Sequence, residues 1–266
     1  MTKIKKGLII ILVCVVLLSF YAFFIEPFSL RVHSLTLNHT NLNGFRIVQF
    51  SDVQLSQFYK THQLDKIVSK INEQNPDLVI FSGDLFENYS DYGNPNEVST
   101  YLQNIKAKYA KVAIWGNRDY GGNAENIYNG LMKDSGFQIL KNEIGTIKLE
   151  NGKQIQLIGL DDALLGNTQP SLLEKVAGNT YNILLCHEPD VVDTLNLESI
   201  DLVLSGHSHG GQLIIGAIHT KLAEKYISGL YELNERTNLY VNVGIGTSRL
   251  PIRFGVIPEI TIFDLE

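Results

Sequence analysis

Short runs of apolar residues recur along the chain, and polar stretches with helix-like spacing separate several of them. Each run is rich in Val, Ile and Leu and has the length of a buried strand. The runs are Phe45–Phe50, Leu78–Phe81 and residues 112–115, 155–158, 182–185, 202–204 and 239–243. The helix-like stretches are residues 63–73, 97–109, 124–133, 172–176 and 190–197. Strands that alternate with helices predict an α/β or α+β domain with a layered sheet, and residues 229–266 predict antiparallel strands that close it.

The most apolar part of the chain is an uncharged run over residues 7–25, and a helix needs about 20 such residues to cross a bilayer. Lys3, Lys5 and Lys6 precede it, and basic residues beside a first span stay on the cytoplasmic side. A cleaved signal peptide is the alternative, but no Ala-x-Ala cleavage pattern follows the run. We therefore expect residues 1–25 to form a cytoplasmic tip and a transmembrane anchor in the cell membrane. Residues 26–266 are then one domain outside the cytoplasm.

Composition and charge limit the class of protein further. A chain of 266 residues allows one sizeable domain or two small ones, and we find no linker that divides residues 26–266. Cys14 and Cys186 are too few for a disulfide scaffold. Residues 1–25 hold three lysines and no acidic residue, so the remainder has 19 basic and 28 acidic residues, a net charge of −9 against −6 for the whole chain. This sign argues against a nucleic-acid partner and against attachment to anionic membranes by charge.

Polar side chains follow five of the predicted strands at the point where each strand ends. These residues are Asp52, Gln54, Asp84, Asn117, His187, His207 and His209. In open α/β sheets, ligands bind outside the carboxyl ends of the strands. Carboxylate, amide and imidazole groups together suit divalent metals such as Mn, Fe or Zn. Each residue alone has a simpler interpretation, as a turn residue or a hydrogen-bonded histidine, so the hypothesis rests on their order and context.

The same residues resemble the motifs of the calcineurin-like metallophosphoesterases. That family has D-x-H, G-D, G-N-H-D/E, a lone His and G-H-x-H, each after a strand. In this chain they stand as Asp52-Val53-Gln54, Gly83-Asp84, Gly116-Asn117-Arg118-Asp119, His187 and Gly206-His207-Ser208-His209. The chain is also similar to a membrane-associated bacterial branch, with an apolar N-terminus, Glu26-Pro27 before the first strand and G-H-x-H-G-G-Q ending at Gln212. The resemblance covers residues 25–265.

The resemblance implies a four-layer αββα sandwich with a site for two divalent metal ions. It implies that Asp52, Gln54, Asp84 and His209 surround one metal. Asp84 would bridge to a second metal, which the resemblance places against Asn117, His187 and His207. Two such cations clamp a phosphate and activate a water that attacks phosphorus in line.

Two residues depart from the family pattern. Gln54 stands where the family usually has His, and its amide oxygen binds Mn or Mg better than softer metals. Arg118 stands where the family has a His that acts on the leaving group, and arginine cannot serve as a general acid near neutral pH. Arg118 can hold phosphoryl oxygens through its planar fork, and an ion pair with Asp119 is an equally good interpretation. We treat Arg118 and Asp119 as candidate catalytic residues.

The preferred hypothesis is therefore a membrane-anchored, metal-dependent phosphoesterase. Its substrate would be a phosphodiester, pyrophosphate or phosphomonoester, with lipid or cell-envelope compounds suggested by the anchor. The substitution at Arg118 favours leaving groups that need no proton, such as another phosphoryl group. The alternative is a catalytically silent relative that keeps the fold as a binding or scaffold module, which the two departures keep open.

Overall fold

The apolar runs form two six-stranded sheets in the part of the chain that the computed structural model describes, residues 3–38, 42–92, 95–215, 218–219 and 224–266. Met1 and Thr2, at the start of the predicted cytoplasmic tip, lie outside the described residues. The strands are β1 (Arg31–Leu37), β2 (Phe45–Phe50), β3 (Leu78–Phe81), β4 (Ala110–Ala113), β5 (Gln138–Ile139), β6 (Glu143–Lys148), β7 (Gln154–Gly159), β8 (Tyr181–Leu185), β9 (Leu202–Ser205), β10 (Ile214–Ile215), β11 (Ile218–His219), β12 (Gly229–Glu232), β13 (Asn238–Val241) and β14 (Glu259–Leu265). The α-helices are α1 (Lys3–Phe24), α2 (Leu64–Asn72), α3 (Asn96–Leu102), α4 (Asn117–Tyr120) and α5 (Tyr128–Asp134).

Most strands of each sheet run parallel, which brings their carboxyl ends to one edge. The first sheet has the order β1-β14-β2-β3-β4-β5 and the second the order β12-β13-β9-β8-β7-β6. Strands β2 to β5 are parallel to one another, as are β7, β8, β9 and β13. The predicted antiparallel closing strands are confirmed for β14, which pairs with β2, and for β12, which pairs with β13. Strand β13 is instead parallel to β9.

Apolar side chains from both sheets fill the space between them and form the central core. Its buried members include Ile47, Ile80, Leu157, Ile183 and Leu204. Alternate residues such as Val48 and Val79 point to the other face of the first sheet, where they pack with α2, α3 and α5. The outer face of the second sheet packs against two 3-10 helices, Pro170–Lys175 and Pro189–Thr194. This arrangement confirms the predicted α/β sandwich of four layers.

The helical layers differ in detail from the prediction. The stretches 172–176 and 190–197 are 3-10 helices of six residues, each with a proline in its first turn, and such helices are kept to short pieces because their hydrogen-bond geometry is poor. Helix α3 ends at Leu102, well before residue 109. The side-chain amide of Asn104 donates to Thr100 O over 2.8 Å, so a side chain competes with the backbone for a carbonyl where the helix ends.

Helix α1 is exposed along most of its length and meets the domain only near its carboxyl end, at Ala22. It is long and apolar enough to cross a bilayer, a property that signal sequences share. Arg253 N donates to Ala22 O over 3.0 Å, and the rings of Tyr21 and Phe254 pack edge to face with centroids 6.4 Å apart. The buried carboxylate of Glu26, just beyond the helix, accepts the N–H of Val256 at 2.6 Å. The end of α1 is therefore joined to the segment that precedes β14.

Candidate metal centre

The strand ends that carry the predicted ligands meet where the carboxyl edges of the two sheets adjoin. Strands β2, β3 and β4 lead into the oxygen-bearing residues, and β8 and β9 lead into the three histidines. Each histidine lies against an oxygen-bearing residue of the other sheet. The contacts are His209 Nε2 to Asp52 Oδ1 at 3.3 Å, His187 Nε2 to Asp84 Oδ2 at 3.4 Å and His207 Nδ1 to Asn117 Oδ1 at 3.1 Å. The structure thus brings these predicted residues together across the two sheets.

Gln54, the seventh predicted ligand, lies in the same cluster. Its Nε2 donates to Asp84 Oδ2 over 2.8 Å and lies 3.5 Å from His209 Nε2. Its Oε1 is buried and has no hydrogen-bond partner in the described part of the chain. A half-turn of the amide exchanges the two atoms, which would direct the oxygen toward Asp84 and His209. A cation there would favour that orientation, because an amide binds metals through its oxygen.

The backbone of the cluster adopts a conformation that side chains rarely allow. Five of the seven predicted ligands have positive φ angles in the left-handed region, which costs free energy for residues other than glycine. These are Asp52 (48°), Gln54 (51°), Asp84 (63°), His207 (66°) and His209 (52°). Strain of this kind persists only where surrounding structure imposes it, and it concentrates at functional sites.

Two glycines of the motifs are required by the close approach of neighbouring chains. A Cβ on Gly116 would collide with the Asp84 carboxylate and lie 2.8 Å from His187 Cε1. A Cβ on Gly206 would collide with Ser51 and with the Asp52 carboxylate. Both positions therefore exclude side chains because the predicted ligands occupy that space.

Three buried atoms of the cluster fit a divalent cation. Asp52 Oδ1, Gln54 Oε1 and His187 Nε2 have no hydrogen-bond partner among the described residues, although buried polar atoms are nearly always paired. His187 Nδ1 lies 2.7 Å from Ser82 O, a contact that favours a ring proton on Nδ1. A metal would therefore bind Nε2, which faces Asp84, in place of the second ring proton. Asp52, Asp84 and His187 each offer a ligand atom within 4.8 Å of the others. These residues form a candidate group of metal ligands.

The buried ionisable groups of the cluster shift one another's pKa values. Burial raises the pKa of Asp52, and the nearby charge of Asp84 adds to the increase against the opposing effect of His187. Burial also disfavours the charged forms of Asp84 and His187, but their mutual attraction outweighs it. The pKa of Asp84 is therefore lowered and that of His187 is raised well above its ordinary value. The cluster favours a compensating positive charge beside its two carboxylates.

The predicted pair of Arg118 and Asp119 is not formed. The guanidinium of Arg118 donates to Ser248 Oγ over 3.0 Å and lies 3.4 Å from Glu87 Oε1. Asp119 is fully buried and accepts backbone N–H groups of three residues, each at 2.9 Å: Asp84, Leu85 and Gly116. Consecutive residues of a helix point about 100° apart, so the first turn of α4 sends the two side chains in different directions. Arg118 points to an open cleft, and Asp119 joins the loops that follow β3 and β4.

Burial changes the pKa of the Asp119 carboxyl group. Burial, followed by the charge of Asp84, raises its pKa to about 8, against the three backbone hydrogen bonds, which lower it. Its carboxylate also completes a capping arrangement at α4, because it bonds the N–H of Gly116 directly before the helix. The position of Asp119 therefore supports the geometry of Asp84 and Asn117 and does not place it in the cleft.

A cleft of about 700 Å³ lies beside Arg118. Its lining includes Arg249, Glu87 and the exposed ring of Phe58. Arg249 has a left-handed backbone, and its N–H donates to Glu87 Oε1 over 2.9 Å. Glu87 therefore contacts both the guanidinium of Arg118 and the backbone N–H of Arg249. Neither Glu87 nor Arg249 follows a motif in the sequence, so sequence reasoning missed them.

Arg253 and two glutamates near the histidines were also missed. Arg253 is fully buried, donates to Gly246 O and Val243 O over 2.9 Å, and has Nη2 3.3 Å from His209 Nδ1. Glu188 follows His187 and could bind a metal together with His187 and His207. Glu224 Oε1 lies 3.5 Å from His207 Nε2. The one available signal was the charge of Arg253 in an apolar tail, since buried arginines are rare unless paired.

Comparisons with known proteins agree with this geometry. The family model described as calcineurin-like phosphoesterase matches residues 45–211. The uncharacterized metallophosphoesterase YkuE of Bacillus subtilis is 37% identical over 255 residues, which cover 92% of this chain and 89% of the relative. The phosphodiesterase YaeI of Escherichia coli is 28% identical, with 92% of each chain covered. A Danio rerio relative named as a transmembrane protein with metallophosphoesterase domain is 30% identical over 83% of this chain, which spans 53% of that protein.

Proposed function

We propose that this chain, which belongs to the calcineurin-like phosphoesterase family, is a metal-dependent hydrolase of phosphate esters. The observation that carries the proposal is the convergence of the predicted ligands, with buried atoms of Asp52, Gln54 and His187 left without hydrogen-bond partners. The family is dinuclear and metal-dependent, and this donor set suits Mn, Fe or Zn. A relative named as a phosphodiesterase supports phosphodiesters as the substrate class.

The ligands divide between two sites that share one carboxylate. We assign Asp52, Gln54 and His209 to the first site and Asn117, His187 and His207 to the second, with Asp84 between them. When bound, two such cations polarise a phosphoryl oxygen and lower the pKa of a water molecule. The protein itself fixes the ligands by burial and by left-handed backbone at five of them.

Arg118 and Asp119 take different roles in this proposal. Arg118 lines the cleft and presents a planar fork that suits phosphoryl oxygens of the substrate. Because arginine does not release a proton near neutral pH, the favoured substrates have leaving groups that are stable as anions, such as a phosphoryl group. Asp119 is a positioning residue, since its carboxylate bonds the backbone of Asp84 and Gly116.

Helix α1 acts as a single-pass anchor in this proposal, with the phosphoesterase domain outside the cytoplasm. The helix has the length and composition of a span, and Lys3, Lys5 and Lys6 precede its apolar part on the predicted cytoplasmic side. The name of the Danio rerio relative also supports a membrane location. A membrane-anchored enzyme would act on lipid or cell-envelope phosphate esters near the bilayer.

The test is metal content and hydrolysis of bis(p-nitrophenyl) phosphate by the full chain in detergent. We expect two divalent ions per chain and metal-dependent turnover, both lost in Asp84→Ala and His207→Ala. Asp65→Asn is the matched control, because it removes a carboxylate from the exposed first turn of α2. A wild-type chain with no bound metal, or an Asp84→Ala variant with unchanged rate and metal content, contradicts the proposal.

The silent binding module is the second candidate, supported by Gln54 and Arg118 in place of the usual histidines. The same experiment separates the two functions. Metal bound in the expected ratio with no turnover of diester, monoester or pyrophosphate substrates favours the binding module.

A further inference from the structure

The loop over residues 250–254, which contacts the end of α1, determines how close part of the domain lies to the bilayer. Arg253 N donates to Ala22 O, and Ala22 lies in the last turn of the candidate span, which ends at Phe24. One helical turn is about 5.4 Å long. If α1 crosses the bilayer, Arg253 and Phe254, which contact Ala22 and Tyr21, therefore lie within about a turn of the end of the apolar span, near the level of the lipid headgroups. Leu250 is three residues from Arg253 and lies within about 11 Å of it.

The same loop forms a wall of the cleft. Thr247, Arg249 and Pro251 line the cleft together with Arg118. Gln212, which follows the His-x-His motif, donates through Nε2 to Ser248 O over 3.2 Å and to Leu250 O over 3.0 Å. The anchor and the mouth of the cleft thus share one short, hydrogen-bonded segment, so the position of the anchor determines the position of the mouth.

Two exposed apolar side chains, Phe58 and Leu250, lie at the mouth of the cleft. Outside α1 and its adjoining Ile25, the large apolar residues exposed among the described ones are Phe58, Leu164, Leu165, Leu230 and Leu250. Phe58 lines the cleft, and Leu250 lies between two residues that line it. Leu250 is 57% exposed and Phe58 is 49% exposed. Leu230 lies apart from them on β12, an edge strand of the second sheet.

We propose that Phe58, Arg249, Leu250 and Pro251 form a membrane-contacting rim, and that the cleft behind it receives the phosphate ester of a lipid headgroup. The bilayer is the occupant that the anchor brings to this depth. Apolar tips beside basic residues are typical of proteins that lie in the interfacial layer of a membrane. The net charge of −9 on residues 26–266 excludes attraction of the whole domain to anionic lipid, so contact depends on these local groups.

The placement of the rim rests on α1 as the anchor, and the lipid substrate rests in addition on the proposed hydrolysis. A depth measurement tests the placement without activity. We would reconstitute full-length Leu250→Trp and Phe58→Trp into vesicles of phosphatidylcholine and phosphatidylglycerol with brominated acyl chains, which quench nearby tryptophan. Leu230→Trp is the matched control, and the wild type supplies the background from Trp115, which is 2% exposed.

We expect Leu250→Trp and Phe58→Trp to show blue-shifted emission that the brominated lipids quench, and Leu230→Trp to show neither change. Quenching of Leu250→Trp no greater than that of Leu230→Trp overturns the rim. A blue shift without quenching also overturns it, because the rim is then covered by protein. Failure of the wild type to insert into vesicles also overturns the rim, because the placement of the rim rests on α1 as the anchor.

The substrate class is tested on vesicles of phosphatidylethanolamine, phosphatidylglycerol and phosphatidic acid. We expect the wild type to release phosphate or a phosphorylated headgroup, and Leu250→Glu to release less while it hydrolyses soluble bis(p-nitrophenyl) phosphate at the wild-type rate. Turnover of the soluble ester with no release from vesicles overturns the lipid substrate and leaves the proposed hydrolysis standing. Quenching without turnover of either substrate contradicts the hydrolysis and leaves the rim standing.

Discussion

The metal centre and the cleft beside it are built in opposite ways, although Arg118 and Asp119 join them in consecutive positions. Five of the seven candidate ligands of the centre are buried, Asn117 and His207 are half-buried, and five have left-handed backbone. The cleft is lined by loop residues, and its cationic walls, Arg118 and Arg249, share one partner, Glu87. A centre of this kind admits few substitutions because each side chain fills space that another needs. The cleft can vary, and this chain departs from the family at Arg118.

The largest expected effect is loss of the shared carboxylate. Asp84→Ala should lower kcat for bis(p-nitrophenyl) phosphate by roughly 10³-fold or more, since electrostatic groups at a reaction centre contribute about 10²–10³-fold each, and Asp84 serves both sites. Metal analysis of the same sample should show the loss of bound ions. Retention of both metals would break the comparison, because the centre would then tolerate substitution as the cleft does.

Asp119→Ala should destabilise the fold strongly. The variant leaves three buried N–H groups without their acceptor, and each buried donor left unpaired costs about 1–3 kcal/mol. Urea unfolding should show this loss in the free energy of unfolding. Arg118→Ala, the neighbouring change, should alter it by no more than about 1 kcal/mol, because partly exposed ion pairs contribute little. Equal destabilisation by both variants would mean that Arg118 belongs to the buried framework.

Arg118→Ala should reduce kcat/KM by roughly 10–100-fold, since a hydrogen bond to a charged group is worth about 1.5–3 kcal/mol. Arg118→His should turn over esters with alkyl leaving groups faster than Arg118→Ala does, because histidine can supply a proton to the leaving group. It should not exceed wild type on p-nitrophenyl esters, whose leaving group needs no proton. Unchanged rates on both ester types would remove Arg118 from substrate binding.

The smallest expected effect concerns the one departure inside the centre. Gln54→His replaces an amide by an imidazole, which favours Zn over Mn. We expect a several-fold rise in the ratio of zinc to manganese bound in competition, with little change in the free energy of unfolding. An unaltered ratio would indicate that Gln54 does not contact the metal.

The ligand set could be predicted from the sequence because each ligand follows directly on a buried strand. Parallel strands bring their carboxyl ends to one edge, which implies that Asp52 lies near Asp84. His187 follows a strand of the other sheet and meets them because the two sheets pack together. Strand β1 was missed because Arg31–Leu37 alternates polar and apolar residues and is half-exposed. Strand β6, Glu143–Lys148, was missed for the same reason. Both lie at sheet edges, where one face meets water.

The roles of Arg118 and Asp119 could not be predicted from the sequence, because they depend on the direction in which each side chain points. Their partners are distant in the chain: Ser248 for the arginine and the N–H groups of Asp84 and Leu85 for the aspartate. Arg253 is a further case, since the partners of its buried guanidinium are the carbonyls of Gly246 and Val243 and the ring of His209. No local pattern signals contacts of this type.

The sequence by itself determined the apolar N-terminal segment, the buried strands and the candidate ligands, because hydrophobic length and residue type at strand ends are local properties. Only the tertiary structure decided that Arg118 and not Asp119 faces the cleft. It also decided that the loop after β13 joins the end of α1 to the mouth of the cleft. Those features depend on contacts between residues such as Ala22 and Arg253. Burial, strain and hydrogen-bond partners of that kind exist only after the two sheets have packed together.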